Sequence, residues 1–272
     1  MSNADAGRFS EIQYEVKDSV AWVTIDRPHK LNAFTPRTIT ELIEAFTDAG
    51  SDSQVGVIVL TGAGDRAFSA GGDLSTENEE TMSMGAGADA FDERVKELYR
   101  VFRECLKPVI ARVDGYAIGG GHHIAYMCDF TIASDRSTFG QNGPRVASPA
   151  EGWFVSHLWT VVGMKRAKEI WMLCRRYSAQ QALEWGLVNA VVTPEELDAE
   201  VRRWCDEMLA LSPTVLKLLK KSFDDSLAPI REAQDRFKIL NQVNPGFWAS
   251  GEQSEGSSAF LQKRTPDFSP WR

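Results

Sequence analysis

The residues best suited to chemistry fall in two glycine-rich stretches and one polar loop. GYAIGGGHHIAYMCD (residues 115–129) follows the apolar run Pro108–Val113, which reads as a buried strand, and leads into Ile124–Met127, which reads as helix. Glycines at a strand-to-helix turn let a backbone approach a ligand with no side chain in the way. The unpaired N–H groups of the first helical turn then favour an anion, including negative charge that appears during a reaction. The same spacing also suits a purely structural tight turn. A second stretch, Gly62–Leu74 (GAGDRAFSAGGDL), again follows an apolar run. The loop Phe139–Trp153 collects Gln141, Asn142, Gly143, Ser148, Glu151 and Gly152.

The elements that must position these residues are legible as pattern. Ile12–Val16 and Val20–Ile25 alternate apolar and polar residues about a Lys17-Asp18-Ser19 turn, which predicts a β-hairpin. Arg27–Phe34 is a loop, and Thr35 and Pro36 stand as N-cap and first turn of a helix carrying Ile39, Leu42, Ile43 and Phe46 at helical spacing. Val55–Thr61 is a strand. Ser75–Ala90 has no clear period and reads as a mobile segment or lid, and Phe91–Leu106 as an amphipathic helix. Beyond the central stretch come a strand at Phe130–Ala133 and a helix over Leu158–Cys174, with Gly163 near its middle. A helix capped by Ser178, a strand at Gly186–Val192 and a helix from Pro194 to Leu211 follow. After Ser212-Pro213 the chain is helical to about Gln242 and again over Ser254–Lys263. Strands alternate with helices to about Val192 and then cease, which predicts an α/β core followed by a helical region.

The totals bound the function. The 272 residues are enough for one large domain or a domain with an appendage. With 43% hydrophobic residues, a sizeable core forms without staples. A net charge of -8 disfavours a nucleic-acid partner held through phosphates. Four scattered cysteines form no C-x-x-C pair, which points to reduced thiols in a cytoplasmic protein, and the four histidines show no zinc-ligand spacing with them. No stretch of apolar residues is long enough to span a membrane, and the polar N-terminus does not resemble a signal peptide.

The ordered motifs RPHKLNAF, AFSAGGDL, GYAIGGGHHIAYMCD, FGQ and GLVNAVV resemble the crotonase (enoyl-CoA hydratase/isomerase) superfamily, from about Phe9 to the C-terminus. The resemblance implies a spiral of ββα turns over residues 1–205 and a C-terminal helical region, residues 206–272, that builds homotrimers or homohexamers. It implies acyl-CoA as substrate and no permanently bound cofactor beyond the coenzyme A of that substrate. The segments AKEIWMLCRRYSAQQALEWGLVNAVV and EGSSAFLQKRTPDFSPW are most similar to those of 1,4-dihydroxy-2-naphthoyl-CoA synthases and 2-ketocyclohexanecarboxyl-CoA hydrolases.

What the resemblance implies for the site is specific. The amides of Gly72 and Gly120 hold the oxygen of a thioester enolate. Ala70, Gly71, Asp73, Tyr116, Gln141 and Gly143 lie at substrate-contacting positions. The two glutamates of simple hydratases correspond to His123 and Gly143. The loop aspartate of the synthases and ring hydrolases corresponds to Ala150, and the synthases' C-terminal tyrosine to Trp248. Glu151 is one residue further on, and Pro149-Ala-Glu-Gly152 resembles the Pro-Glu-Gly of Δ3,Δ2-enoyl-CoA isomerases. It is the expected general base, against a loop carboxylate paired with Arg145. His123 is expected in the pocket, orienting water or donating a proton, against a histidine packed at a helix start. Ser148 matches a substrate-contacting serine or is a loop cap. Lys30 and Lys263 match contacts to the CoA phosphate end, Lys263 across a subunit boundary, or are solvated lysines. Met82, Met84, Phe91, Trp153 and Trp248 are expected to shape the acyl pocket. The expected activity is making or breaking a carbon–carbon bond in a cyclic β-keto acyl-CoA. Enoyl-CoA isomerisation or atypical hydration, and acyl-CoA binding without catalysis, are the alternatives.

Overall fold

The structure is a computed structural model describing residues 7–74, 85–235 and 239–272, with the side chains of 85–92 and 235 not described. Of the expectations above, the Ser75–Ala90 lid falls largely outside the described residues, as do Met82, Met84 and the Phe91 side chain.

The alternating residues of β1 (Ile12–Lys17) and β2 (Val20–Ile25) pair antiparallel, Ile12 opposite Ile25. β2 then runs parallel to β3 (Val57–Gly62), which is buried along its whole length. β5 (Val109–Val113), β7 (Phe130–Ser134) and β10 (Ala190–Val192) continue the parallel sheet in the order β1-β2-β3-β5-β7-β10. A second sheet takes the strands that follow β3, β5 and β7, namely β4 (Ala67–Ser69), β6 (Tyr116–Ile118) and β8 (Thr138–Gly140), and adds β9 (Tyr177–Ser178) antiparallel to β8 before the chain returns to β10. The chain thus alternates between two sheets as it advances, a mixed α/β fold with a predominantly parallel large sheet. β4, β6 and β8 are three-residue strands inside segments that read as loops. Their pairing with distant neighbours, not local periodicity, makes them strands.

α1 (Pro36–Ser51) starts at Thr35, whose side chain accepts from the Thr38 amide, as the N-cap expectation had it. α2 (Gly85–Glu104) crosses α1 and stacks Phe102 on Phe46 with ring centroids 4.0 Å apart. α3 (Gly120–Met127) opens directly from β6. The single helix expected over Leu158–Cys174 is two, α5 (Trp153–Val162) and α6 (Met164–Leu173), preceded by the short α4 (Gly143–Val146). The break is Gly163, whose φ of 77° lies in the left-handed region that ends a helix. α7 (Ala179–Glu184) begins in a capping box of Ser178 and Gln181.

α8 (Leu197–Leu209) lays Leu197, Val201, Cys205 and Met208 against the outer face of the large sheet. The expected core boundary at 205/206 therefore falls inside a core-packed helix. The C-terminal helices are α9 (Pro213–Asp235), whose Leu216 packs against the same cluster, α10 (Ile239–Val243) and α11 (Glu252–Leu261). Among the described residues no helix is long and apolar enough to cross a membrane.

Candidate active site

The sequence places a tight turn after each of β4 and β6, and the small sheet brings the two turns together. β4 pairs with β6 in parallel, so both chains leave the sheet on one side. Gly71 has φ 92°, and a Cβ there would meet the Gly120 nitrogen at 2.9 Å and the Ile118 oxygen at 3.0 Å. Only glycine allows this approach. Gly119, with φ 58° and ψ −121°, turns the chain into α3. Gly120 is then the first residue of the helix, where an N–H has no intrahelical acceptor. Among the described residues neither the Gly72 nor the Gly120 amide donates a hydrogen bond, and both line one cavity of about 790 Å³.

Asn32 anchors the first turn. It is fully buried, its Oδ1 accepts from the Arg27 amide at 3.0 Å, and its Nδ2 donates to the Ala63 and Ala67 carbonyls at 2.9 and 2.7 Å. The turn is further tied by Phe34 N–H to the Gly71 carbonyl at 2.7 Å, Asp73 N–H to the Phe34 carbonyl at 2.8 Å, and Ala70 N–H to the Leu31 carbonyl at 3.0 Å. Asp73 lines the cavity, but its carboxylate meets Arg27 at 3.1 Å, so it braces the loop.

The cavity wall is rich in aromatic rings: Phe34, which packs against the Gly120 turn, and Tyr99, Trp153, Phe154 and Trp171. His123 sits among these rings, 4% exposed, with Tyr99, Tyr126 and Phe154 centroids within 5.0 Å. Burial holds its pKa well below the usual histidine value, helped by His157 and His122. The ring is neutral near pH 7. The Tyr99 hydroxyl lies 2.9 Å from its Nδ1, and Nε2 has no partner. Burial likewise pushes the Tyr99 pKa up, so the phenol keeps its proton. If the phenol donates to Nδ1, one polar atom stays unsatisfied, the Nε2–H. The other tautomer would strand both the phenol proton and Nε2. The network therefore assigns Nε2–H. His123 lines the cavity, as expected, and is at the same time packed in the first turn of α3, with burial keeping the ring neutral near pH 7.

Glu151 lines the cavity from the turn before α5. Its carboxylate accepts from the Leu240 N–H at 2.5 Å, at the start of α10. The pairing with Arg145 is corrected, because the Arg145 guanidinium turns instead to the Cys174 carbonyl at 3.4 Å. The Gly143 position of simple hydratases is closed here: a Cβ on Gly143 would meet the Ser148 carbonyl oxygen at 2.9 Å.

Lys30, Ala70, Gln141, Gly143 and Ser148 join Gly71, Gly72, Asp73, Gly120, His123 and Glu151 along the cavity. Gln141 is buried with its amide nitrogen 3.4 Å from His122 Nδ1. Tyr116, Trp248 and Lys263 are not among its lining residues. Tyr116 is exposed at the start of β6, Trp248 is in the turn before α11, and Lys263 follows α11 with φ 56°. Trp153 is a wall residue as expected; Trp248 is not. Sequence reading missed Tyr99, Phe154, Trp171, Arg231 and Asn32. The helical period of α2 marks Tyr99 as inward, but nothing local pairs it with His123.

The enoyl-CoA hydratase/isomerase family model matches residues 15–270. The chain belongs to this family. Its fold is shared with solved members at full length. An enoyl-CoA hydratase from Mycobacterium avium subsp. paratuberculosis K-10 is 28% identical with a TM-score of 0.79, covering 96% of this chain and 99% of that one. An enoyl-CoA hydratase/isomerase from Xanthobacter autotrophicus Py2 is 29% identical with a TM-score of 0.81, covering 95% and 100%. A methylmalonyl-CoA decarboxylase, solved with 2-nitronate-propionyl-CoA, is 25% identical with a TM-score of 0.86, covering 96% and 98%. The family is one of acyl-CoA enzymes, and among the described residues the Gly72 and Gly120 amides that line the cavity have no acceptor.

Proposed function

We propose that this family member cleaves a carbon–carbon bond in a cyclic β-keto acyl-CoA through a thioester enolate, with Glu151 as general base and the Gly72 and Gly120 amides as oxyanion donors. One arrangement carries the reading: two unpartnered amides and the Glu151 carboxylate share an aromatic-walled cavity, while both hydratase glutamate positions lack a carboxylate. The other acids on that cavity, Asp73 and Glu93, are paired with Arg27 and Lys96.

In this reaction Glu151 takes a proton from water as its oxygen adds to the ring ketone carbon. The bond from that carbon to the α-carbon breaks, and its electron pair passes to the thioester carbonyl oxygen. Gly72 and Gly120 hold that oxygen until the α-carbon takes a proton. The ring ketone carbon ends as a carboxyl group. Lys30, on the cavity lining, is assigned to the phosphate end of CoA. Lys263 of one copy meets the CoA of the next in a trimer or hexamer, and exposed Val215, Leu218 and Phe223 on α9 supply apolar surface for that assembly.

Isomerisation of an enoyl-CoA is the second reading. It is favoured by the same single carboxylate, which suffices to move one proton between two carbons. The test is mass spectrometry of 2-oxocyclohexanecarboxyl-CoA and a 3-enoyl-CoA incubated in isotopically heavy-oxygen water. A ring-opened acid carrying heavy oxygen supports cleavage. A shifted double bond with the ring intact replaces it by isomerisation. Tight binding without turnover of either ester leaves a non-catalytic acyl-CoA-binding protein.

A further inference from the structure

We propose that Arg231 recognises a carboxylate at the far end of the acyl group, so that this cavity takes acyl-CoA ligands ending in a carboxylate. The inference rests on the acyl-CoA reading above.

Arg231 lies on α9 and lines the same cavity as Gly72, Gly120 and Glu151. Its side chain is only 11% exposed. The guanidinium carbon is 6.0 Å from the Trp153 ring centroid. Nη1 donates to Asp224 Oδ1 at 2.8 Å, and Nη2 reaches Oδ2 at 3.5 Å. Arg103, also on the cavity wall, approaches the same carboxylate at 4.0 Å. Two guanidinium groups thus share one carboxylate, and this corner of the wall carries an excess positive charge. Among the described residues no other group accepts from the Arg231 guanidinium.

A largely buried cation is costly unless fully paired and hydrogen-bonded. In a chamber walled by aromatic rings, a half-shared carboxylate leaves that demand incomplete. A planar carboxylate on the ligand meets it, because the guanidinium fork matches carboxylate geometry. The proposed cleavage creates such a group, since the ring ketone carbon becomes a carboxyl at the opposite end of the opened chain. Arg231 would hold that product end as it ionises.

The test is isothermal titration of heptanoyl-CoA and its ω-carboxy counterpart, heptanedioyl mono-CoA, which differ only at the chain end. The wild-type protein is expected to bind the carboxylate-ended ester about tenfold more tightly. Arg231→Met abolishes that preference, and Arg231→Lys retains part of it. Asp224→Asn, which removes the competing carboxylate, enlarges it and supplies a second line of test if Arg231→Met fails to fold. Equal affinity of the wild type for both esters, or a preference surviving in folded Arg231→Met, overturns the proposal and spares the acyl-CoA reading. If neither ester binds, the acyl-CoA reading falls and takes this inference with it. Inhibition of ring-ester turnover by the diacid ester without its consumption identifies the carboxylate as the product's. Consumption of the diacid ester identifies it as the substrate's. Either supports recognition by Arg231 only where Arg231→Met weakens the inhibition or consumption and leaves the response to heptanoyl-CoA unchanged.

Discussion

The Tyr99 hydroxyl stands 2.9 Å from Nδ1 of His123, and this contact decides which nitrogen of the buried imidazole carries the proton. With the ring kept neutral by burial, His123 presents Nε2–H and no charge. Nitrogen NMR of the His123 ring near pH 7 should show the neutral Nε2–H tautomer. In Tyr99→Phe both tautomers should appear, at a stability cost of about 1 kcal/mol. An imidazolium at neutral pH would refute the assignment.

Histidine burial also makes stability depend on pH. Burial lowers His122 to about 3 and His157 to about 4 from the ordinary 6.5, with Arg176 and Arg231 adding to the respective shifts. Above pH 6.5 these rings are neutral folded and unfolded alike. As pH falls through 6.5 the unfolded chain takes up protons that the folded chain refuses, so stability declines towards the folded values. The expected loss between about pH 7.5 and about pH 5 is on the order of a few kcal/mol, read from denaturant midpoints. His157→Phe, which keeps a ring stacked on Trp153, should shrink the loss. An unchanged midpoint across that range would contradict the burial argument.

Beside the base role proposed for it, Glu151 accepts from the Leu240 N–H, and the two are separable. Glu151→Gln keeps an oxygen to accept from Leu240 N–H but loses the base, so turnover should drop about a hundred- to ten-thousandfold with little change in Tm. Glu151→Ala should lose turnover and also about 1 kcal/mol of stability. Steady-state kinetics beside thermal melts separate the two. Full activity in the glutamine variant would remove Glu151 from the chemistry.

The two glycine turns proposed to hold the enolate oxygen are in contact through Gly71. A methyl group there would press on the Gly120 nitrogen at 2.9 Å and force a left-handed backbone on alanine. Gly71→Ala should therefore lower kcat by about a hundred- to a thousandfold by displacing one donor. Binding of free CoA, which lacks the reacting carbonyl, should change far less. A variant with wild-type kcat would show that the turn does not set the donor.

Asn32 acts at a distance from the reacting atoms. Asn32→Ala removes three hydrogen bonds in a fully buried setting, two of them to backbone carbonyls. A loss of about 2–4 kcal/mol is expected by chemical denaturation. Variant protein still folded should also lose kcat, because the turn bearing Gly72 hangs on Leu31 and Phe34. Loss of stability without loss of kcat would confine Asn32 to folding.

Much of this molecule was legible along the chain. The β1–β2 hairpin, the Thr35 and Ser178 caps and the parallel strands β3, β5 and β7 rest on signals within a few residues, so pattern and cap chemistry suffice. β4, β6 and β8 were hidden because three-residue strands exist only through partners far away in sequence. The Leu158–Cys174 helix was read whole because Gly163 interrupts the axis without interrupting apolar periodicity.

For the site, the residue types alone marked two glycine turns, open to an anion-holding or a purely structural role, and the order of motifs pointed to the family. The meeting of those turns was decided by tertiary structure, because β4 and β6 must pair before Gly71 can lie against Gly120. Tertiary contacts also set the state of each titratable group. For His123 the sequence leaves open a water-orienting or proton-donating group or a histidine packed at a helix start; in the fold burial keeps the ring neutral and Tyr99, twenty-four positions away, sets its tautomer. For Glu151 the sequence leaves open a general base or a loop carboxylate paired with nearby Arg145, and in the fold the carboxylate meets the amide of Leu240 from the C-terminal helices while Arg145 turns to the Cys174 carbonyl. Types and order along a chain determine which chemistry is available. Dielectric surroundings and long-range contacts, which have no local signature, determine which of it each side chain performs.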